Sequence, residues 1–410
     1  ISYWKTYQII IQKIKNLDDL LENNLKGKTV YLRADLNLPT INGKVTDTTR
    51  IKSILPTIRE LKKNKCKIVI LSHFGRPKGS YNKKMSLKHI IPKVEKVTRS
   101  KIYFSKDHSG INFEKLIKKI PDGSVVIMEN TRFHKGEENN FKYFAKDLAK
   151  NCDFFVNDAF SVAHRSHASV TGLTNYVPSF SGRSLEKEVV TVSKFLSSKN
   201  KKKLAIIGGS KISTKINLIN NLLKNVNAIV IGGAMANTFL LAQGKKIGKS
   251  LNEKTMIKTA KKIMSNALRK KCKIILPVDA VVASNLKKGG KFSEYNIDNI
   301  PDDGLILDIG KNSISIIDDE ISKTKEVLWC GPLGLFEQSP FHLGTASVAK
   351  TLSKMTKNGK IVSVAGGGDT VAAISQSNYV NDFTYISTAG GAFLEMIAGQ
   401  KLPGIEVLKK

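Results

Sequence analysis

Short β-branched, largely apolar runs recur along this chain, and each is followed by a longer amphipathic stretch. In the first half the runs are Thr29–Leu32, Lys67–Leu71, Ser124–Met128 and Asp153–Val156, separated by helical patterns such as Thr49–Lys63, Lys88–Val97, Phe113–Ile120 and Phe141–Lys150. The second half repeats the rhythm with Leu204–Ile207, Ala228–Ile231, Lys273–Leu276, Gly304–Leu307, Glu326–Trp329, Lys360–Val364 and Phe383–Ile386. A strand with one wet face alternates apolar and polar residues. These runs do not, so they need cover on both faces, which parallel strands obtain from helical crossovers. The expected fold class is α/β with parallel sheets.

At 410 residues the chain has room for two or three domains. With 41% hydrophobic residues and a mean hydropathy of −0.17 it is neither a disordered tail nor a membrane protein. No apolar run approaches the ~20 residues of a membrane span. Four cysteines without a C-x-x-C pair fit a reducing, cytoplasmic setting better than a disulfide scaffold or a zinc site. Residues 1–12 read as an extension outside the fold. Arg183–Ser198 reads as one helix, and Lys199-Asn200-Lys201-Lys202-Lys203 after it reads as a solvated helix end. The domain expectation is therefore 13–182, a linker helix and hinge over 183–203, and a second α/β domain over 204–395.

Of 67 basic residues nine are arginine, leaving 58 lysines against 34 acids, a formal charge of +33. Arginine is scarce enough for its positions to matter. Five arginines (Arg33, Arg50, Arg76, Arg132 and Arg165) fall in polar clusters just after expected strands. The carboxyl ends of parallel strands line the ligand crevice. Guanidinium offers a planar fork of donors for carboxylate or phosphate where lysine offers a point charge. Five forks at successive strand ends point to a small-anion site. His73 and His164 fit as donors there, His167 less well, and Asp35 and Asn37 suit the hydroxyls of a small polyol acid.

The second half has one arginine but four glycine-rich turns: Gly208–Lys215, Gly232-Gly233-Ala234, Gly366-Gly367-Gly368-Asp369-Thr370 and Thr388-Ala389-Gly390-Gly391. Amide N–H groups at a glycine turn opening a helix cradle phosphate, so four such turns suggest a nucleotide. Asp369 is placed to hold Mg²⁺ beside substrate phosphates. Gly244–Ser250 resembles a P-loop but is one residue short and follows a helical stretch instead of a strand. His164-Arg165-Ser166 lacks the aspartate of a protein-kinase loop.

The ordered motifs Arg33–Pro39, Ser72–Pro77, Glu129–Phe133, Asn157–Phe160 with Ala163–Arg165, Gly208–Lys215, Gly331–Glu337, Gly366–Thr370 and Ser387–Ala392 closely resemble the phosphoglycerate kinase family over about residues 13 to 410. The resemblance implies two Rossmann-like domains joined by a helix and a hinge, with residues 396–410 returning to the first. It implies a glycolytic, ATP-binding phosphotransferase that is cytoplasmic and monomeric. Its partners would be 3-phosphoglycerate or 1,3-bisphosphoglycerate and ATP or ADP, with Mg²⁺. It assigns the acid to Asp35, Asn37, Arg50, His73, Arg76, Arg132 and Arg165. It assigns the nucleotide to Lys211, Lys215, Glu337 (ribose hydroxyls), Gly367, Gly368, Asp369 and Thr370, with Asp369 near the metal. Charge on the transferring group would be met by Arg50, Lys211, Mg²⁺ and N–H groups of Gly390 and Gly391, after hinge closure.

Three residues depart from the family pattern. Cys330 stands where an Asn is usual, Ala389 replaces the first glycine of a Gly-Gly-Gly turn, and Phe74 replaces a Leu. The Cys330 change removes a polar contact near the phosphates, and the Ala389 Cβ is expected to stiffen its loop. A nucleic-acid-binding protein is the rival suggested by pI ≈ 9.9, but aromatics are 7% and lysine is spread over both halves, so no specific nucleic acid is expected. A nicotinamide dehydrogenase is disfavoured because no G-x-G-x-x-G opens either half.

Overall fold

The computed structural model describes residues 14–200, 202–286 and 290–409. The extension expected over 1–12 and Lys201 of the basic cluster lie outside the described residues. The chain divides into two compact units: the described residues of Ile1–Lys194 with those of Lys401–Lys410, and Phe195–Gln400.

The first unit is built on a six-stranded sheet, parallel throughout. Its spatial order is Ile102–Ser105, Val125–Met128, Lys67–Leu71, Thr29–Arg33, Phe154–Asn157, Ser179–Ser181. Every residue of Thr29–Arg33 is buried. Val30 and Leu32 enter one core with Ile58, Ile68 and Val94, while Tyr31 enters the opposite core with Phe113, Phe155 and Leu148. That division across the sheet is why the run carries no polar alternation. The two edge strands, Ile102–Ser105 and Ser179–Ser181, were not expected. They are short and end in serine, so neither forms an apolar run.

The expected single helix over Thr49–Lys63 is two, Thr49–Ser53 and Leu55–Lys63. Pro56, in the first turn of the second, has no N–H to bond back across the break. The break leaves Arg50 on a short helix of its own.

The second unit has a parallel six-stranded sheet ordered Lys273–Ile275, Ala228–Ile231, Lys203–Ile207, Glu326–Cys330, Val362–Gly366, Tyr385–Ser387. Its core gathers Leu204, Ile206, Val230, Trp329, Val348 and Ile374. The run expected as a parallel strand at Gly304–Leu307 is instead Leu305–Ile309, antiparallel to Asp279–Ala283 in a separate three-stranded sheet completed by Phe292–Asn296. An apolar run does not by itself reveal which neighbour it pairs with.

The linker helix spans Arg183–Ser197, and the division between the units falls within it. Lys203 is no solvated helix end. It starts a central strand, is buried, donates from Nζ to Ser198 O at 3.0 Å and lies over the Phe195 ring. The chain rejoins the first unit at Lys401, later than the expected 396, because helix Gly391–Ile397 is tied to the second unit by Asn221 Nδ2 donating to Ile397 O at 2.6 Å. Gly404 then pairs with Ala163, its N–H donating to Ala163 O at 2.8 Å. Among the described residues no helix is long and apolar enough to cross a membrane.

Candidate active site

In the first unit the strand order reverses at Thr29–Arg33, which has Lys67–Leu71 on one side and the later Phe154–Asn157 on the other. Such a switch point opens a crevice at the carboxyl ends of the strands. Asp35 and Asn37 lie just beyond this strand. Asp35 Oδ1 accepts from Asn37 N–H at 3.0 Å and from Arg50 Nη1 at 3.0 Å, and its Oδ2 accepts from Ser161 Oγ–H. Arg50 also donates to Asn37 O at 2.8 Å. Asn37 Oδ1 accepts from Gly75 N–H at 2.9 Å, which links this group to the loop after Lys67–Leu71. Gly75, at φ +63°, turns its carbonyl to accept from Arg132 Nη1 at 2.9 Å.

Arg132 is buried, with Nε 3.1 Å from Glu138 Oε1 at an angle that makes no hydrogen bond. A buried guanidinium N–H is thus left without an acceptor. Burial lowers the Arg132 pKa, with Arg165 and Arg76 adding to the shift and Glu138 opposing it. His164 and His167 each have an unpartnered Nδ1. Burial, then the surrounding arginines, hold both below the ordinary histidine range, His167 at about 3. His73 is pushed well down by burial first, then by Arg33, Arg132, Arg50 and His167. Arg50, His73, Arg76, Arg132 and Arg165 therefore share one electrostatic neighbourhood. A buried donor left unpaired beside further arginines favours a bound anion.

Arg33 departs from the sequence reading. Its guanidinium is fully buried and faces no crevice. Nε donates to Ser169 Oγ at 2.9 Å, Nη1 to Ala34 O at 2.6 Å, and Nη2 faces His73 Nδ1 at 3.4 Å. That leaves four arginines, not five, as candidate anion forks.

In the second unit the reversal lies between Lys203–Ile207 and Glu326–Cys330. The two strand ends almost touch. Gly208 N–H donates to Cys330 O at 3.0 Å, and a Cβ on Gly208 would stand 1.9 Å from Pro332 O. Lys215 Nζ donates to the same Cys330 carbonyl at 3.3 Å, and burial lowers its pKa. Thr370, expected to contact nucleotide directly, is buried with Oγ1 accepting from Gly331 N–H at 2.6 Å, so it ties two loops together. Gly367, Gly368 and Asp369 follow strand Val362–Gly366, with Asp369 exposed in the first turn of helix Gly368–Gln376. Gly390 and Gly391 follow the next strand in the sheet, Tyr385–Ser387. All these turns share the carboxyl edge of one sheet.

A cavity of about 350 Å³ runs from Gly209, Gly233 and Asp369 to an apolar wall that includes Leu251, Pro277, Leu305 and Phe336. Glu337 lines it, while Lys211, exposed, does not. Glycine-turn amides and apolar side chains in one lining suit phosphates and a base. The apolar wall escaped the sequence reading because such residues read as core. Asp308 also lines the cavity and was missed. Its oxygens accept from Ile309 and Gly344 N–H, and burial raises its carboxyl to about 7.

Two departures acquire a physical setting. Ala389 is buried and is not among the residues at positive φ, so its Cβ imposes no backbone strain. Cys330 is fully buried, with its thiol raised to about 12 by burial.

A family model described as phosphoglycerate kinase matches residues 17–400. The chain is 49% identical over 396 residues to the phosphoglycerate kinase of Sinorhizobium fredii, covering 97% of this chain and 99% of that protein. The enzyme of the same name from Brucella abortus is 48% identical with the same coverage. Among solved structures, phosphoglycerate kinase from Coxiella burnetii aligns with a TM-score of 0.87 at 38% identity, over 96% of this chain and 98% of that one. The Pyrococcus horikoshii enzyme aligns at 0.82 with 30% identity and the same coverage.

Proposed function

The chain belongs to the phosphoglycerate kinase family, and from that premise we propose how its residues divide the work of the reaction. It is a glycolytic phosphotransferase that moves a phosphoryl group between 1,3-bisphosphoglycerate and ADP, giving 3-phosphoglycerate and ATP. The acid belongs to the first unit. Arg76, Arg132 and Arg165 take the anionic groups, His73 donates a hydrogen bond, and Asp35 and Asn37 meet the hydroxyl. The observation that carries this reading is the buried Arg132 Nε–H, which donates no hydrogen bond although the Glu138 carboxylate lies 3.1 Å away, in the neighbourhood of Arg76 and Arg165. An anion bound there supplies the missing acceptor.

The nucleotide belongs to the second unit, with its base against the apolar wall and Glu337 at the ribose. Its phosphates lie along the amides of Gly367 and Gly368, with Lys211 and Lys215. Among the described residues no group of three or more acidic, His or Cys side chains could hold a metal. Mg²⁺ carried by a nucleotide does not need one, since one carboxylate plus phosphate oxygens and waters is its usual coordination, and exposed Asp369 fits that role. Mg²⁺ would supply charge neutralisation at the phosphate oxygens.

Both acceptor oxygens, a carboxylate and a phosphate, are already anionic, so no general base is required. The lowered proton affinity of His73 and His167 makes both weak bases, which agrees with that. The transferring group instead needs alignment and positive charge on its equatorial oxygens. We assign these to Arg50 in the first unit and to Lys211 and the N–H groups of Gly390 and Gly391 in the second. Each substrate is served by residues of one chain, which fits a monomer. A coupled assay of 3-phosphoglycerate-dependent ADP formation from MgATP tests the reading. Absence of turnover at high enzyme concentration refutes it.

A further inference from the structure

Four buried side chains form an unbroken line beneath the acid site. Glu137 Oε1 accepts the Ser169 hydroxyl proton at 2.5 Å, and its Oε2 accepts from Ser169 N–H at 2.9 Å. With that proton directed to Glu137, Ser169 Oγ presents a lone pair to Arg33 Nε–H at 2.9 Å. Arg33 Nη1 is held by Ala34 O, which aims Nη2 at His73 Nδ1, 3.4 Å away. Glu137, Ser169 and Arg33 are fully buried and His73 nearly so.

A guanidinium has donors and no acceptor. The ring nitrogen facing it must therefore be the one with the lone pair, and the ring proton must sit on the other nitrogen. We infer that Arg33 is a positioning residue that holds His73 as a neutral imidazole protonated on Nε2, ready to donate to the acid substrate. An imidazolium would oppose two N–H groups at Nδ1. The charged and titratable groups facing His73 are Arg33, Arg50, Arg132 and His167, all cationic or neutral, and none favours a second proton. Glu137, the nearest compensating acid along the line, is committed to Ser169 and Thr131. Ordinary histidine changes charge within the physiological range. Locked in this way, His73 keeps its donor without adding or losing charge as pH varies.

The inference rests on the reading of His73 as a substrate contact, and the test separates the two. Imidazole ¹⁵N spectra of the full-length free enzyme should show His73 unprotonated at Nδ1, protonated at Nε2 and unchanged between about pH 5 and 8. Arg33→Met should let His73 sample both tautomers. It should also raise KM for 3-phosphoglycerate about five- to tenfold with kcat changed less than about twofold, the loss of one modest hydrogen bond to the ground state. If Arg33→Met does not fold, Ser169→Ala frees Arg33 Nε while keeping the guanidinium, and should mix the tautomers partially. An Nδ1–H tautomer or an imidazolium in the unmodified enzyme at neutral pH would overturn the role of Arg33. So would a variant of either kind with an unchanged tautomer. Addition of 3-phosphoglycerate should shift the His73 Nε2 signal. No shift with the Nε2–H tautomer intact would overturn the substrate contact alone.

Discussion

Gly208→Ala isolates the strand-end contact on which the proposed nucleotide site is built. Gly208 is not among the glycines at positive φ, so alanine can adopt its backbone conformation and the whole effect is steric. The added methyl would lie 1.9 Å from Pro332 O, 2.6 Å from Pro332 C and 2.7 Å from Gly331 O. All three are backbone atoms of the facing strand end, so no side chain can swing away. The Gly208 and Gly331–Pro332 turns must part by about 1 Å, and a misplacement of that size near reacting groups can cost about 100-fold in rate. Overpacking of this kind costs about 1–3 kcal/mol. In a unit the size of Phe195–Gln400 that lowers the melting temperature by about 2–12 °C. Calorimetry with steady-state kinetics should show the melting shift together with a fall of about 100-fold in kcat/KM for MgATP. KM for 3-phosphoglycerate, set in the other unit, should be nearly unchanged. Gly359→Ala is the control. At φ +65° with nothing within 4 Å of a Cβ, it should cost about 1–2 kcal/mol of stability and no turnover. A Gly208→Ala enzyme with unaltered kcat/KM for MgATP would refute the argument.

Arg50→Ala should lower kcat by about 10²–10³-fold, as expected for a lost transition-state donor, while ADP affinity measured by calorimetry stays nearly constant. A collapse of ADP binding would break the proposed division between the units. Cys330→Asn should bind MgATP equally or more tightly in titration calorimetry, and a clear loss would show that the buried thiol is the adapted residue. Asp158 is buried, accepts from Thr57 Oγ–H and from Ser184 and Leu185 N–H, and has its carboxyl raised to about 6 by burial. Because its folded value lies above the unfolded one, ionisation costs stability. The cost is fully present above about pH 6, is relieved as pH falls towards the unfolded value, and amounts to up to about 3 kcal/mol. Asp158→Asn should flatten this part of the melting-temperature profile between about pH 4 and 7. An undiminished slope would locate the titration elsewhere.

The α/β class, most central strands and the strand-end clusters were legible in the sequence because buried parallel strands leave continuous apolar runs. Lys67–Leu71 and Ala228–Ile231 were read to the residue. The edge strands of the first unit were not legible, since Ser179-Phe180-Ser181 has too little apolar content to stand out from a loop. Nor was pairing, as Leu305–Ile309 shows, because a run looks alike in either sheet. At the sites, residue type disclosed which side chains could bind an anion but not which way each one points. Arg33 sits in the same kind of motif as Arg76, yet one guanidinium is spent on backbone carbonyls and the other is exposed. Strand alternation at the last residue of Thr29–Arg33 decides this, and it depends on where the strand stops. The apolar wall of the nucleotide cavity had no signal at all, since a leucine lining a pocket and a leucine filling a core are the same letter.

Scarcity of arginine nevertheless sorts by geometry. Arg183 forms a paired contact with Glu60, Nε to Oε1 at 2.9 Å and Nη2 to Oε2 at 2.7 Å, and also binds Asp18. Hydrogen bonding to Asp18 and then Glu60 raises its pKa. Arg50 spans a carboxylate and a carbonyl, Arg33 a hydroxyl and a carbonyl, and Arg132 reaches a carbonyl beside an ion pair. Arg183 and Arg33 each use donors on more than one nitrogen fixed in one plane, which an ammonium cannot reproduce. Arg59, Arg99 and Arg269 are exposed. Arg183→Lys keeps the charge and loses the fork. The charge of +33 thus sums two populations with different physical demands, and only the smaller one is tied to planar, paired recognition.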